Sequence, residues 1–214
     1  MAENNTGEPN SEQGALEKLY RDVSLTRRNR INASNRLLKK EEFVQNINIY
    51  YSCLASVVTV LSLIYTGRSF GVASAILTVI LAISIVYLNA QKYGDRAQQL
   101  KTNYIALQQL AFEIKEEQRK NQIASIKKFS DRYIELLQTS ENHIHQDHLQ
   151  TLHLQDVVEK KKMKEQKDSE NRVHLSGKEK FEYWFYEIRY AVIKVLFWIA
   201  PVVYFIFELF FNHP

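Results

Sequence analysis

Apolar and charged residues are segregated along this chain into long blocks. Phe43 to Gly67 carries no formal charge, and neither does Ser69 to Gln91. A third apolar block, Tyr190 to Phe211, contains only Lys194 and Glu208 as charged residues. Crossing a bilayer takes roughly 20 apolar helical residues. The first two blocks therefore predict a transmembrane helical hairpin with its tight turn near Thr66 and Gly67. The third has a shorter uncharged stretch, Val195 to Phe207. It predicts a C-terminal hydrophobic helix that crosses the bilayer or lies at its surface. Pro201 falls inside it and predicts a kink. Lys194 and Glu208 lie near its ends, where long side chains reach the interfaces. The aromatics just before it, Phe181, Tyr183, Trp184, Phe185, Tyr186 and Tyr190, suit the headgroup level.

The polar segments carry helical periodicity of their own. Met1 to Gly14 is an exception: it has too little apolar surface to offset the entropy of ordering, so disorder is expected. It also lacks the apolar core of a signal peptide. Leu16, Leu19, Tyr20 and Val23 then recur at helical spacing. After the hairpin, Tyr93, Ala97, Leu100, Tyr104, Leu107, Ala111 and Ile114 alternate in heptad steps, which predicts an oligomer or bundle seam. Gly94 is expected to loosen the start of that helix. Ile126, Phe129, Tyr133 and Leu136 mark another helix, with the turn around Asn121. Ser176 and Glu179 have capping-box spacing and open the last helix. The segments are thus 1–14, a disordered N-terminus; 15–42, a basic juxtamembrane helix; 43–91, the hairpin; 92–175, a cytoplasmic helical region; and 176–214, an aromatic-rich, transmembrane C-terminal helix.

Composition agrees with this all-α membrane protein. The chain has three prolines and six glycines, and no proline lies between residues 10 and 200. So few breakers argue for long helices. The one cysteine, Cys53, excludes an intramolecular disulfide and a cysteine-rich zinc site; it reads as a small packing residue. The net charge of +4 is too small to imply nucleic acid, and direct nucleic-acid binding is not expected.

Charge placement says more than net charge. Arg27, Arg28, Arg30, Arg36, Lys39 and Lys40 precede the hairpin, and Lys92, Arg96 and Lys101 follow it. The positive-inside rule puts the N-terminus and the chain after Gln91 in the cytoplasm. The first six bases read as anchors for anionic lipid headgroups, each contributing on the order of 1 kcal/mol; a polyanion site is the lesser reading.

Within the hairpin, Asn48, Ser52, Ser56, Thr59 and Thr66 share one face, and Gly71, Ala75, Thr78, Ala82 and Asn89 share another. Small and hydroxyl residues allow close helix approach; in an oligomer the same face would line a pore. No charged ring predicts strong ion selectivity. His143, His145, His148 and His153 lie close together, near Glu141, Asp147 and Asp156. Their spacing matches no metal signature, so a polar packing site between helices is the expectation, ahead of metal binding or proton sensing. No nucleophile elbow, phosphate loop or dinucleotide fingerprint occurs. Neither enzymatic activity nor a cofactor is expected.

The segment RRNRINASNRLLKKEEF leading into a membrane hairpin, then QKYGDRAQQLKTNYIALQQL, then LLQTSENHIHQDH, resembles the SLATT domain family. This is a two-transmembrane module of bacterial conflict systems. The resemblance spans roughly Ala15 to Arg189 and is nearest the subfamily encoded beside reverse transcriptases. It implies an antiviral defence effector of the bacterial inner (plasma) membrane. Such an effector is held quiet by a reverse transcriptase or a nucleotide-signalling sensor partner. When triggered, it oligomerises and permeabilises the membrane. The alternative is a non-conducting oligomeric anchor for a cytosolic partner. The third apolar segment goes beyond the two-helix layout.

Overall fold

The computed structural model describes residues 8–64, 68–120, 126–165 and 175–211. Among these, every regular element is helical: α1 (Glu8–Ile64), α2 (Arg68–Gln91), α3 (Tyr93–Lys120), α4 (Ile126–Gln138), α5 (His145–Glu165) and α6 (Gly177–Phe211). The expected turns at Thr66–Gly67 and Asn121 lie outside the described residues. α1 starts at Glu8, inside the stretch expected to be disordered, so that expectation is corrected for residues 8–14. Pro9 suits the first turn of a helix, where its missing N–H costs nothing, and no further proline follows before Pro201.

The chain divides into two units. The first combines residues 1–37 with 94–175. Its apolar core joins Leu16 and Val23 of α1, Leu107, Leu110, Ala111 and Ile114 of α3, and Phe129 of α4. Leu19, Tyr20, Ile126, Tyr133 and Leu136 pack around it. The heptad positions of α3 are therefore used inside one chain: Ala97, Leu100, Leu107, Ala111 and Ile114 are buried and Tyr104 is half-buried. Within one chain these positions pack into the bundle. Leu110 is the core residue that the heptad omits; at i+3 from Leu107 it widens the apolar stripe to that of a bundle helix.

The second unit combines residues 38–93 with 176–214. Two stretches, Glu12–Ile64 and Gly71–Arg119, contain windows long and apolar enough to cross a membrane. Only 6% and 0% of those windows are buried within the chain. An apolar helix left bare by its own protein needs a non-aqueous surrounding, and the chain is a membrane protein. Its first window lies on the second half of α1 and its second on α2. Between α2 and α3 the backbone breaks at Lys92, whose φ is 47°. That is the left-handed conformation typical of a residue just past a helix end. The break lies at Lys92, and Gly94 is inside α3.

α6 opens on the capping box expected of it. Ser176 N–H donates to Glu179 Oε2 at 2.7 Å, and Glu179 N–H donates to Ser176 Oγ at 3.3 Å. The helix runs parallel to the second half of α1: Phe43 meets Tyr190 at 6.3 Å and Tyr50 meets Trp198 at 4.6 Å between ring centroids. It continues through Pro201. Proline has no N–H for the carbonyl four residues earlier, which is Phe197. The Tyr51 hydroxyl donates to that carbonyl at 2.9 Å, and the Tyr50 hydroxyl donates to the next one, Trp198, at 3.2 Å.

Candidate functional site

The first unit has a polar interior beside its apolar core. Asn29, Arg30, Asn32 and Ser34 of α1 are all buried, as are Asn103 of α3 and Asp147 and Thr151 of α5. Buried polar groups are costly unless bonded, so their partners define the site.

Arg30 is 1% exposed. Its guanidinium donates to the Asn103 side-chain oxygen, to the Leu136 carbonyl at 2.9 Å and to the Leu137 carbonyl at 3.3 Å. Those carbonyls end α4, where the last turn has no helical donors and the dipole favours a cation. Asn103 adds a 2.7 Å bond to Leu136 O and a 2.8 Å bond to Thr139 Oγ1. The end of α4 is thus capped by side chains from α1 and α3. Burial lowers the Arg30 pKa from its ordinary value, opposed by Tyr133; with an ordinary value so far above neutrality, the group stays charged.

Two turns along α1, Arg36 meets α5. Nε donates to Asp147 Oδ1 at 2.8 Å and Nη2 to Oδ2 at 3.2 Å. The Asp147 carboxylate also accepts the Ile144 N–H at 3.0 Å, closing the first turn of α5 as a capping carboxylate does. Between these bases, Asn32 donates to Thr151 Oγ1 at 2.7 Å and to Asp147 O at 3.4 Å. Ser34 donates to Ala97 O at 2.9 Å.

Asn29 completes the junction. Its Nδ2 lies 3.1 Å from His143 Nε2 and 3.4 Å from His148 Nδ1. The His143 pKa is lowered by burial first, then by His148 and Arg30, against an opposing pull from Asp147. The expected polar packing site between helices is therefore built from His143 and His148, with Asn29 as the partner. Among the described residues no group of three or more His, Cys, Asp or Glu side chains could hold a metal ion.

These contacts correct part of the lipid-anchor assignment. Arg30 and Arg36 are taken up by α3, α4 and α5 and do not face headgroups, because each has found buried acceptors inside the unit. Arg28 and Lys39 are exposed, Arg27 is half-buried, and the Lys40 ammonium lies 5.9 Å from the Tyr93 ring centroid. Sequence reasoning missed Asn29, Asn32, Asn103 and Thr151. Its available signal was the interleaving of Asn and Ser with the bases from Arg27 to Arg36, which headgroup binding alone does not need.

In the second unit the small-residue faces fall differently from the expectation. Ser52, Ser56, Thr59, Gly71, Ala75, Thr78, Ala82 and Asn89 are exposed and Asn48 is half-buried; Thr66 lies outside the described residues. Ala55 and Val58 are the buried positions of this part of α1. Nothing lies within 4 Å of where a Gly71 Cβ would stand. Within one chain, the set Gly71, Ala75, Thr78, Ala82 and Asn89 is thus exposed. α1 and α2 meet at Thr59 and Ser74, whose hydroxyls are 2.6 Å apart, so Ser74 replaces the neighbouring small residues. Ser56 and Thr78 return their hydroxyls to the carbonyls of Ser52 and Ser74, each at 2.9 Å. Cys53 is exposed, not packed as expected, because it sits outside the Ala55–Val58 contact.

Residues 12–207 match the family SMODS and SLOG-associating 2TM effector domain family 5, abbreviated SLATT_5. No curated protein and no solved structure matches the chain.

Proposed function

The chain belongs to this SLATT family of two-transmembrane effector domains, and from that premise we propose that it is a triggered membrane-permeabilising effector of a bacterial antiphage system. The family is not a known family of enzymes. In this reading the hairpin sits in the inner membrane, and the N-terminus and the unit built on α3, α4 and α5 are cytoplasmic. A partner, either a reverse transcriptase or a nucleotide-signalling sensor, acts on that cytoplasmic unit. Exposed bases such as Arg28 and Lys39 hold it near anionic lipid.

One observation carries the reading. The apolar windows of the two candidate spans are almost wholly unburied within one chain. Ser52, Ser56 and Thr59 of α1, and Gly71, Ala75, Thr78, Ala82 and Asn89 of α2, are exposed with them. Lipid covers apolar surface well, but hydroxyl and amide groups gain from a neighbouring subunit or water. Association of several copies through these faces would move the exposed hydroxyl and amide groups out of hydrocarbon, against a neighbouring subunit or a wet lumen. The heptad of α3 packs within one chain, which favours the membrane helices as the assembly surface. The Asn29–Arg36 junction supports a resting state, since α1 carries both the junction and the first candidate span.

The test is membrane potential and dye entry in bacteria expressing the chain, alone and with its genomic neighbour under phage challenge. Depolarisation only under challenge is expected. Ser56→Leu with Thr59→Leu should insert normally and reduce leakage. Intact membranes in every condition, with the protein in the inner membrane, would instead support an anchor for a cytosolic partner.

A further inference from the structure

The second unit has a half-open apolar cavity of about 300 Å³ between α1, α2 and α6. Tyr51, Leu54 and Val58 of α1 form one wall, Ile76 and Leu77 of α2 a second, and Pro201 of α6 a third. Its volume is at the small end of ligand sites, roughly 300–1,000 Å³. The one hydroxyl among these walls, on Tyr51, is already bonded to the Phe197 carbonyl. The cavity therefore offers shape and dispersion but no free polar group, and water has too few partners to settle there.

We propose that this cavity is an acyl-chain slot for one anionic phospholipid of the surrounding membrane. The medium around these helices supplies the occupant. Val57, Val60, Val79 and Ile83 on the same two helices are all exposed, as is Ile80 on the cavity's own wall, so in a membrane protein the slot borders hydrocarbon. A void in such a wall forfeits contacts that a lipid tail would restore.

The charge follows from the same helix pair. The Lys194 ammonium lies 4.4 Å from the Tyr190 ring centroid and 5.4 Å from that of Phe43. Phe43 in turn meets Phe197 at 6.2 Å, and the Phe197 carbonyl is bonded to Tyr51 at the cavity wall. A cation held over rings keeps N–H donors for a phosphate oxygen. Lys194, Phe43, Phe197 and Tyr51 thus form a continuous line from a fixed cation to an apolar slot, which matches a lipid phosphate and its tail. The site is independent of whether the chain forms a pore.

The test places the full chain in vesicles of phosphatidylethanolamine and phosphatidylglycerol doped with a phosphatidylglycerol carrying a diazirine in its acyl chain. After illumination, labelled peptides are mapped. Labelling at Leu54, Val58 and Leu77 at least fivefold above that at Val60, Val79 and Ile83 is expected. Ala73→Trp, which fills the slot, should abolish that excess. Lys194→Gln should remove the preference for the phosphatidylglycerol probe over its phosphatidylethanolamine counterpart. Uniform labelling of the two sets in the native chain would overturn the proposal, and so would an excess untouched by Ala73→Trp. If that variant fails to insert, Ile80→Trp fills the same cavity, and the native labelling ratio decides by itself.

Discussion

Asp147 is fully buried and receives the Arg36 guanidinium through two nitrogens, at 2.8 and 3.2 Å. The same carboxylate closes the first turn of α5 through Ile144 N–H. Removing one member of a buried pair strands the other charge, which typically costs about 3–5 kcal/mol. Asp147→Asn should therefore release α5, and amide exchange of α5 should rise steeply against that of α2. Arg36→Lys should rescue little, because an ammonium cannot reproduce the paired geometry. A double-mutant cycle on the two residues should be strongly non-additive; additive losses would mean that the pair is not coupled.

Acid should weaken the same unit through His143. Its pKa is held below the ordinary 6.5 by burial, with His148 and Arg30 adding to the effect and Asp147 opposing it. Protonation is then easier in the unfolded chain. Stability is complete above about pH 6.5 and is lost as pH falls through the depressed folded value. Melting of the first unit, followed from pH 8 to pH 5, should show that loss. His143→Gln should flatten it, and an unchanged slope would assign the acid sensitivity to another group.

Tyr51 and Pro201 should be energetically coupled although they lie on different helices. Tyr51→Phe leaves the Phe197 carbonyl without a donor, at a cost of about 0.5–1.5 kcal/mol for a bond between membrane helices. Pro201→Ala restores a backbone N–H four residues after Phe197. In that background Tyr51→Phe should cost much less. Equal costs in both backgrounds, read from unfolding in mixed micelles, would uncouple the two.

Lys92 holds a positive φ of 47°, which a side chain disfavours by roughly 1 kcal/mol. Lys92→Gly should stabilise the α2–α3 junction by up to about that amount. The check is a higher unfolding midpoint, with Lys92→Ala giving no gain.

The sequence made the long helices legible because their signals are local. Ser176 and Glu179 are three residues apart, and their reciprocal bonds form as the capping-box spacing requires. The seam from Ala97 to Ile114 is also turned inward as its period requires, with Tyr104 half-buried and the rest buried. The polar junction was not legible. Arg30 and Arg36 lie directly before an apolar block, where bases ordinarily meet lipid, and their acceptors share no spacing with them. Cys53 and Gly71 show the converse limit. Small residues permit close approach, but α1 and α2 meet instead at Thr59 and Ser74, and periodicity does not select between adjacent faces of an apolar helix.

The separation of Arg36 from Asp147 also sets an order of events during synthesis. They are 111 positions apart, and both apolar hairpin segments lie between them. At roughly 5–20 residues per second, the polar face of α1 waits on the order of 5–20 seconds after leaving the ribosome before α5 exists to receive it. Over that interval the hairpin segments emerge and become available for insertion. Arg30 can enter the interior only after Leu136 and Leu137 have been made, and Arg36 only after Asp147; until then both bases are free to meet headgroups.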